Sequence, residues 1–354
     1  MHLWSWSGDA RACHVRTIPV LLLTLLAVAL PVTAQIPLAL WPSDGPQEGP
    51  RIQGHRVVWH QFMAEFGDYD VVVADVNRLD EIQVQVLSLP GDQMHPDAWG
   101  RRVVWQEYVL KDEFGDWDIN GADLGDWTNP RFFAVSGVID NDEQFPAISG
   151  NTVLWQDGLV DHYDIFAADI TDPNWPLEFV VAAFEGSQQR PAVDRTRAVW
   201  QDNFHGDWDV YASDIWLRDQ PMEFIVTPFA DQQTAPTISG NRVVWQDDLA
   251  GDWDLFASIL AEDGVVEHFP IAATEGNQVN ARIDGPLVVW QDDRFGHWDI
   301  FLYNLNTGQE FRLTEDPADQ TRPDIDGDLV VWQDNRLGSW DVFVLRLASS
   351  MLAE

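Results

Sequence analysis

One motif recurs seven times along this chain and limits the folds open to it. A typical copy is "VVWQDDRFGHWDIFLYNL" from Val288, which reads as a strand, a polar turn and a second strand. The copies are marked by Trp59, Trp105, Trp155, Trp200, Trp245, Trp290 and Trp332, with successive spacings of 46, 50, 45, 45, 45 and 42 residues. A β-type repeat of this period is typical of propeller blades, which cover one another's faces. The sequence therefore predicts an all-β, seven-bladed β-propeller.

Each repeat contains four strand signals, which predict four-stranded antiparallel blades. In the sixth repeat, turn residues at Asp284-Gly285, Arg294–Gly296 and Asn306–Gly308 separate the apolar stretches. The innermost strand carries Pro-x-Ile or a near equivalent, and the units begin near residues 50, 96, 146, 191, 236, 281 and 323. Because proline cannot donate to a strand ladder, we expect it at the strand's first residue or on a free inner edge.

The two ends of the chain complement each other. The last repeat lacks its outermost strand, since only seven residues follow Leu347. The segment "IPLALWPSDGPQEGPRI" from Ile36 aligns in order with "QEFRLTEDPADQTRPDI" from Gln309. We therefore expect residues 36–41 to complete the last blade and close the ring, which removes exposed strand edges.

Residues 1–34 have the pattern of a signal peptide. Arg11 and Arg16 precede an apolar run from Ile18 to Leu30, and Val32-Thr33-Ala34 supplies small residues for cleavage after Ala34. The alternative is that this segment is not cleaved and is retained as a membrane anchor. Residues 35–354 then form the propeller, and we expect it to be secreted, periplasmic or at the cell surface. Cys13 lies in the leader and is the chain's one cysteine, so the exported chain has no disulfide.

The charge balance excludes some partners. The chain has 58 acidic and 20 basic residues, a net charge of −38. This field repels nucleic acid and anionic membrane surfaces, so we expect neither nucleic-acid binding nor stable membrane insertion after signal cleavage. It favours a protein or glycan partner with a basic or cationic surface. The alternative is that the acidic residues only keep the protein soluble. We expect a monomer.

The repeats resemble those of TolB-type periplasmic proteins and the tandem "VVWQD…G.WDI" repeats of bacterial and archaeal cell-surface proteins. The residues that carry the resemblance are Val330 to Asp334 and Gly338 to Val342 in the last copy and their counterparts elsewhere. The resemblance covers residues 36–347 and implies an exported propeller. Its motifs are specific for the blade, and no catalytic set is implied.

Polar residues also recur in register. An Asp follows an aromatic residue at positions 70, 118, 164, 209, 254, 299 and 341, and Gln follows the marker Trp in six copies. A second Gln series, with Glu143 in one place, lies three residues before the inner-strand Pro. We interpret these residues as partners of turn amides and carbonyls. No cofactor is expected to be required, and calcium is the alternative, with the candidates Asp247, Asp252, Asp292 and Asp293.

Departures from the repeat indicate where function lies. Nine residues separate the marker Trp from the repeated Asp in the last five copies, but 11 and 13 in the first two. The insertions are apolar, and His60 replaces the repeated Gln in the first copy. We predict a ligand-binding lip on blades one and two, formed by His60, Phe62, Met63, His95, Tyr108 and Leu110. The alternative is that the long loops pack on each other as a local cap. A metal site at the two histidines is a further, less favoured alternative.

No Ser/His/Asp order, phosphate loop or thiolate nucleophile can be identified in the sequence. The chain is therefore interpreted as a non-catalytic binding or interaction module. An extracellular glycosidase or polysaccharide lyase on a propeller frame is the alternative. A further hypothesis concerns Arg282, Asp324, Arg51 and Asp97, which occupy the middle of the inner-strand triplet in four consecutive blades and alternate in sign. We expect them to pair across neighbouring inner strands.

Overall fold

The computed structural model describes residues 36–352 except 44, 112–113, 138–140, 160–161, 217–221, 250 and 262–263. The predicted signal peptide, its cleavage point and Cys13 lie outside the described residues, and export stays a prediction. Within this part of the chain, no helix is long and apolar enough to cross a membrane.

The chain folds into seven four-stranded antiparallel sheets, as predicted. Blades one to three consist of β2–β5 (Gln47–Gln53, Arg56–Met63, Asp68–Asp75, Gln83–Leu87), β6–β9 (Gln93–Trp99, Arg102–Lys111, Phe114–Asp123, Arg131–Ala134) and β10–β13 (Asp142–Ser149, Thr152–Leu159, His162–Asp169, Leu177–Ala182). Blades four to six consist of β14–β17 (Gln188–Asp194, Arg197–Asp202, Asp209–Asp214, Met222–Ile225), β18–β21 (Gln233–Ser239, Arg242–Asp247, Asp254–Leu260, Val265–Ala272) and β22–β25 (Gln278–Asp284, Leu287–Asp292, Asp299–Asn304, Gln309–Arg312). Blade seven consists of β26–β28 (Gln320–Asp326, Leu329–Asp334, Asp341–Arg346) together with β1 (Leu38–Ala39).

The ring is closed by the N-terminal strand. Leu38 pairs with Val344 and Ala39 with Phe343 along β28. The next residue, Leu40, donates its backbone N–H to the Val342 carbonyl at 2.8 Å and is buried between blades one and seven. This confirms the closure predicted from the alignment of the chain's two ends.

The marker tryptophans form the centre of each blade interface. All seven are 0–1% exposed and contact apolar side chains of a neighbouring blade. The indole of Trp290 donates to Asp292 at 3.1 Å, and that of Trp332 donates to Asp334 at 3.0 Å. In these two blades, the acid two residues after the Trp satisfies a buried indole N–H.

The inner strands carry a bulge at the proline. In β2 the pairing passes from Glu48 opposite His60 to Arg51 opposite Val58, so Gly49 and Pro50 are left out of the ladder. The same shift occurs in the inner strand of all seven blades. The proline is on the free inner edge as expected, but within the strand rather than at its first residue. A bulge tolerates proline because the residue there needs no ladder donor.

The insertions in the first two repeats lengthen strands rather than turns. The second and third strands of blade one pair as far as Met63 opposite Asp68, and those of blade two as far as Lys111 opposite Phe114. Aromatic cross-strand pairs support this extension: Phe62 faces Tyr69, and Tyr108 faces Trp117. The predicted loop lip is therefore a pair of long hairpins.

Candidate functional site: the channel mouth

The inner strands of all seven blades surround a cavity of about 610 Å³ at the centre of the ring. The residue before each inner-strand Pro, or before its equivalent Ala281, lines this cavity and has a positive φ. These residues, called slot residues below, are Gly49 (62°), His95 (51°), Phe145 (53°), Arg190 (52°), Ala235 (50°), Asn280 (55°) and Arg322 (51°). Left-handed backbone is uncommon outside glycine and often occurs where function requires it. We call this cavity the channel mouth.

A hydrogen bond from the preceding blade fixes the slot residues. At six junctions, the Gln that follows the marker Trp accepts the slot residue's backbone N–H through Oε1. The distances range from 2.8 to 3.3 Å and involve Gln106, Gln156, Gln201, Gln246, Gln291 and Gln333. The interpretation of this Gln series as a structural one is confirmed. The bond spans neighbouring blades and holds one residue of each at the cavity wall.

The channel mouth is cationic. Arg51, Arg190, Arg282 and Arg322 line it, and no acidic residue is among its described lining residues. Neither Arg190 nor Arg322 forms an ion pair with a carboxylate in the described part of the chain, and both keep contact with solvent. Partial desolvation inside the cavity, followed by the repulsion of Arg322, lowers the pKa of Arg190. Both side chains are therefore positively charged donors without an anionic partner.

The other two arginines have partners below the cavity lining. Arg51 Nε lies 3.9 Å from Asp97 Oδ1, and Arg282 Nε lies 4.0 Å from Asp324 Oδ1. The predicted pairing between neighbouring inner strands is confirmed at the long end of ion-pair distance. Burial lowers the pKa of Arg282 to about 9, with Arg51 opposing its charge and Asp324 favouring it. The charges of Arg51 and Arg282 are thus partly balanced by Asp97 and Asp324, whereas Arg190 and Arg322 have no such partner in the described chain.

Two histidines lie at the blade-one side of the channel mouth. The ring centroids of His60 and His95 are 5.4 Å apart. His95 contacts Phe145 at 4.7 Å with the two rings tilted, and Arg190 lies over the Phe145 ring. Burial, then Arg322 and Arg190, lowers the pKa of His95 to about 4. Burial, then His95 and Arg322, lowers the pKa of His60 well below its usual range. Both rings are therefore neutral at pH 7 and can hydrogen-bond without adding charge.

The structure brings some of the predicted site residues together and separates others. His95 lines the channel mouth with His60 directly behind it, and Tyr69 links His60 to Phe62 through edge contacts. Met63 instead packs toward the core between blades one and seven. Tyr108 packs against Trp117 at 5.3 Å, within its own hairpin. The Leu110 side chain lies outside the described side chains.

The apolar lip has counterparts in other blades. Phe66 at the tip of the first hairpin is 54% exposed, and the equivalent turns carry Phe204, Leu249, Phe295 and Leu337 at 50–67%. Exposed apolar residues at these turn tips are therefore not confined to blades one and two. The central cavity collects four arginines from four blades, and for this reason it is the stronger candidate site.

The calcium candidates are engaged in hydrogen bonds. Asp292 accepts the Arg294 guanidinium at 2.9 Å, Asp293 the Asn277 amide at 2.6 Å, and Asp247 the Leu249 amide at 2.9 Å. Asp252 accepts the Gly276 amide at 3.1 Å. Among the described residues, no group of three or more His, Cys, Asp or Glu could hold a metal ion. Calcium binding stays an untested prediction.

Sequence reasoning missed Arg190 and Arg322, although a signal was present. The slot residue takes six different identities in seven blades, from glycine to arginine, while the Pro beside it recurs in six of them. A position whose residue type varies inside an otherwise repeated strand is not required by the blade framework. Such variation predicts a surface adapted to a ligand.

Solved structures share this fold. A puromycin-hydrolyzing peptidase of Mycobacterium tuberculosis aligns with a TM-score of 0.61 and 16% identity, over 85% of this chain and 52% of the peptidase. An oligogalacturonate lyase in complex with manganese aligns with a TM-score of 0.61 and 12% identity, over 89% of this chain and 94% of the lyase. TolB from Acinetobacter baumannii aligns with a TM-score of 0.47 and 14% identity, over 84% of this chain and 78% of TolB.

No protein-family model and no curated protein matches the sequence. At these low identities, the structural matches show the β-propeller fold alone. The chain spans about half the length of the peptidase that it matches.

Proposed function

We propose that this protein is a binding module that holds an anionic ligand by its carboxylate groups in the channel mouth. One observation carries the proposal: in a chain of net charge −38, four arginines and no described acidic residue line the cavity. Guanidinium groups bind carboxylates through paired, charge-assisted hydrogen bonds. Like charges are held close together only at a cost in stability, which an anion between them relieves.

The contacts of Arg190 and Arg322 support this role. Each is fixed at the cavity wall by its backbone N–H, which Gln156 and Gln291 accept at 3.1 and 2.8 Å. Each leaves its guanidinium without a carboxylate partner in the described chain. Because the backbone of each arginine is already fixed, only its side chain has to be ordered when a ligand binds, which lowers the entropic cost of binding. Of the residues predicted to form the lip on blades one and two, His95 lines this cavity and His60 is in contact with His95.

The acidic outer surface serves selectivity in this proposal. It repels anions everywhere except at the channel mouth, so an anionic ligand has one place to bind. A basic partner, which the net charge predicts, meets the outer surface and not this cavity. The two proposals concern different surfaces and are tested separately.

Isothermal titration calorimetry with trigalacturonate, chosen because an oligogalacturonate lyase shares the fold, tests the proposal. Maltotriose is the uncharged control. The double variant Arg190→Gln/Arg322→Gln should bind trigalacturonate about 100-fold more weakly, since each charge-assisted contact contributes about tenfold or more. Arg195→Gln removes an exposed charge at a left-handed position in the first turn of the same blade and should leave affinity unchanged. Equal affinity in the double variant and the wild type would contradict the proposal.

A polysaccharide lyase is the second candidate, and His95 is the observation that favours it. A lyase base removes the proton next to a uronate carboxylate, a cation stabilises the resulting charge, the bond to the leaving oxygen breaks and a carbon–carbon double bond forms. His95 is neutral and faces Arg190 and Arg322. The low pKa that keeps it neutral also makes it a weak base at pH 7, which is why catalysis ranks second.

The ultraviolet absorbance of the unsaturated product separates the two functions. A lyase produces this absorbance from polygalacturonate, and His95→Gln abolishes it. A binding module produces none. A glycosidase uses two carboxyl groups at the scissile bond, and the described lining of this cavity supplies none.

A further inference from the structure

The four arginines of the channel mouth lie at two levels. The slot residues Arg190 and Arg322 form the upper tier. Arg51 and Arg282 form the lower tier, two residues beyond the slot positions of blades one and six, which is about 6–7 Å along a strand. One cavity reaches both tiers, and the lower side chains are 24% and 32% exposed. A ligand that enters between the upper arginines can therefore continue to a second pair of cations.

The carboxylates beside the lower tier are engaged by the backbone of the next blade. Asp97 Oδ2 accepts the Ile148 N–H at 2.9 Å, and Asp324 Oδ2 accepts the Ile52 N–H at 2.8 Å. Neither aspartate is among the described residues that line the cavity, whereas the arginine paired with each one is. A ligand in the cavity therefore meets the arginine side of both pairs.

The inner strands end on the opposite charge. Asp194, Asp284 and Asp326 are the last residues of β14, β22 and β26. Asp194 accepts the Gly240 N–H at 2.6 Å and Asp284 accepts the Gly327 N–H at 2.7 Å, each from the next blade, which fixes both carboxylates. An anion that moved past the lower tier would approach these charges and be repelled. The charges thus admit an anionic group from the channel mouth and stop it at the lower tier.

A band of proline rings separates the two tiers, and it consists of Pro50, Pro96, Pro146, Pro191, Pro236 and Pro323. Proline has no N–H, so the carbonyls of a peptide in this band would lose water without gaining a backbone donor. A sugar ring can instead place an apolar C–H face on the prolines. Asn280 donates through Nδ2 to Gln291 at 2.9 Å, which leaves its Oδ1 as an acceptor for a sugar hydroxyl. The wall therefore suits a sugar better than a peptide.

We propose that the channel mouth binds the chain end of an acidic oligosaccharide end-on, with the terminal uronate carboxylate at the lower tier and the carboxylate of the next unit at the upper tier. This inference rests on the function proposed above. Each tier offers guanidinium groups, which bind carboxylates through paired hydrogen bonds. An interior segment of a chain would have to leave through the mouth by which it entered, because the other end is acidic. The site therefore distinguishes a chain end from a chain interior.

Calorimetry with galacturonate and digalacturonate tests the two tiers. The wild type should bind digalacturonate at least about tenfold more tightly, since the second carboxylate makes charge-assisted contacts of its own. Arg51→Gln/Arg282→Gln removes the lower tier and should reduce this gain to within about twofold. Arg51→Gln alone keeps the pair of Arg282 with Asp324, should reduce the gain in part, and serves if the double variant does not fold.

Arg195→Gln is the matched control, because it removes an exposed positive charge outside the cavity and should keep the full gain. Thermal unfolding of each variant confirms that it is folded. A gain that survives removal of the lower tier would mean that both carboxylates bind side by side at the upper tier, which overturns the end-on arrangement.

The stoichiometry on a long polygalacturonate chain tests the preference for a chain end. Sedimentation of the complex should give one protein per chain, because each chain has one end of the matching kind. Several proteins per chain would overturn the inference. Triglutamate represents an acidic peptide, and tighter binding of triglutamate than of trigalacturonate would overturn the choice of a sugar.

The outcomes separate this inference from the proposed function. Equal affinity of the wild type for galacturonate and digalacturonate overturns the end-on arrangement, while anion binding stands. If the wild type binds neither of these ligands nor trigalacturonate, both inferences are wrong.

Discussion

The junction between blades one and two differs from the other six in one side chain. At the six junctions, a Gln Oε1 accepts the next blade's slot N–H at 2.8–3.3 Å. At the remaining one, His60 stands in the Gln position, and its ring contacts His95 and leaves Nδ1 without a partner in the described structure. The repeated Gln serves the framework. The departure gives up a framework bond and supplies a polar atom near the ligand cavity, as expected where function outweighs local stability.

The closing junction, between blades seven and one, gives the largest expected effect. The same hydrogen bond occurs there, from the Gly49 N–H to Gln333. This junction differs in its covalent connection, because the strand that completes blade seven is the N-terminal β1, which leads directly into blade one. A chain that begins at Gln47 lacks β1 and Leu40 and should lose more than about 3 kcal/mol of unfolding free energy, since Leu40 is 7% exposed and its loss leaves a cavity. Thermal unfolding should show a decrease in Tm of about 5 °C or more.

Ile36→Ser in the longer chain is the control, because Ile36 is 77% exposed and should not matter. Equal Tm values for the truncated and longer chains would show that the interblade contacts close the ring without β1. In that case the closing junction would be held like the six others, and the N-terminal strand would be dispensable.

The blade framework was predictable because it is written seven times. Trp290 and Asp299 have counterparts in every copy, and each fixes the same strand pairing. The closure followed from the missing outer strand of the last copy. The lengths of the first two hairpins did not follow, because cross-strand pairs such as Tyr108 with Trp117 are tertiary contacts and an insertion in sequence does not reveal them.

The candidate site was only half predictable. His60 and His95 stand out in the sequence, the first because it breaks a repeated Gln. Arg190 and Arg322 come from blades four and seven, and only the closed ring brings them to the same cavity. Their positive φ, which accompanies the bulge at the inner proline, is a backbone feature that residue types at these positions do not signal.

Blade three departs from the repeat in a second way. Glu143 takes the place of the inner-strand Gln, is 0% exposed, and accepts the Ser136 hydroxyl at 3.1 Å. Burial, followed by the charges of Asp118 and Asp157, raises the pKa of Glu143 far above its usual range. Glu143 is therefore protonated in the folded protein, and its carboxyl group can donate to Asp118, as a Gln amide could.

Glu143→Gln should stabilise the protein at neutral and alkaline pH. A carboxyl group whose pKa is raised by folding contributes stability fully below its ordinary value of 4.5, and this contribution is lost as the pH rises toward the folded pKa. The variant has no such proton to lose. Urea unfolding should show a gain of about 1–3 kcal/mol at pH 8 and a much smaller one at pH 4.

Gln188→Glu is the reciprocal variant, since Gln188 occupies the same position in blade four and is also 0% exposed. It should destabilise the protein at pH 8 more than at pH 4. A gain for Glu143→Gln that is the same at both pH values would indicate a packing effect and contradict the assigned proton.

The smallest expected effect concerns the charge pairs under the channel mouth. Arg51 and Asp97 approach to 3.9 Å with side chains 24% and 18% exposed, so solvent weakens their attraction. Asp97 also accepts the Ile148 N–H at 2.9 Å, so Asp97→Asn alone disturbs more than the ion pair. A double-mutant cycle with Arg51→Gln removes that second contribution and should give a coupling of about 0.5–1 kcal/mol. A coupling of zero would mean that the alternating charges are a consequence of the cavity's positive potential and not a device that aligns the inner strands. Arg51 would then act in the ligand site alone, and its loss would reduce anion affinity without changing stability.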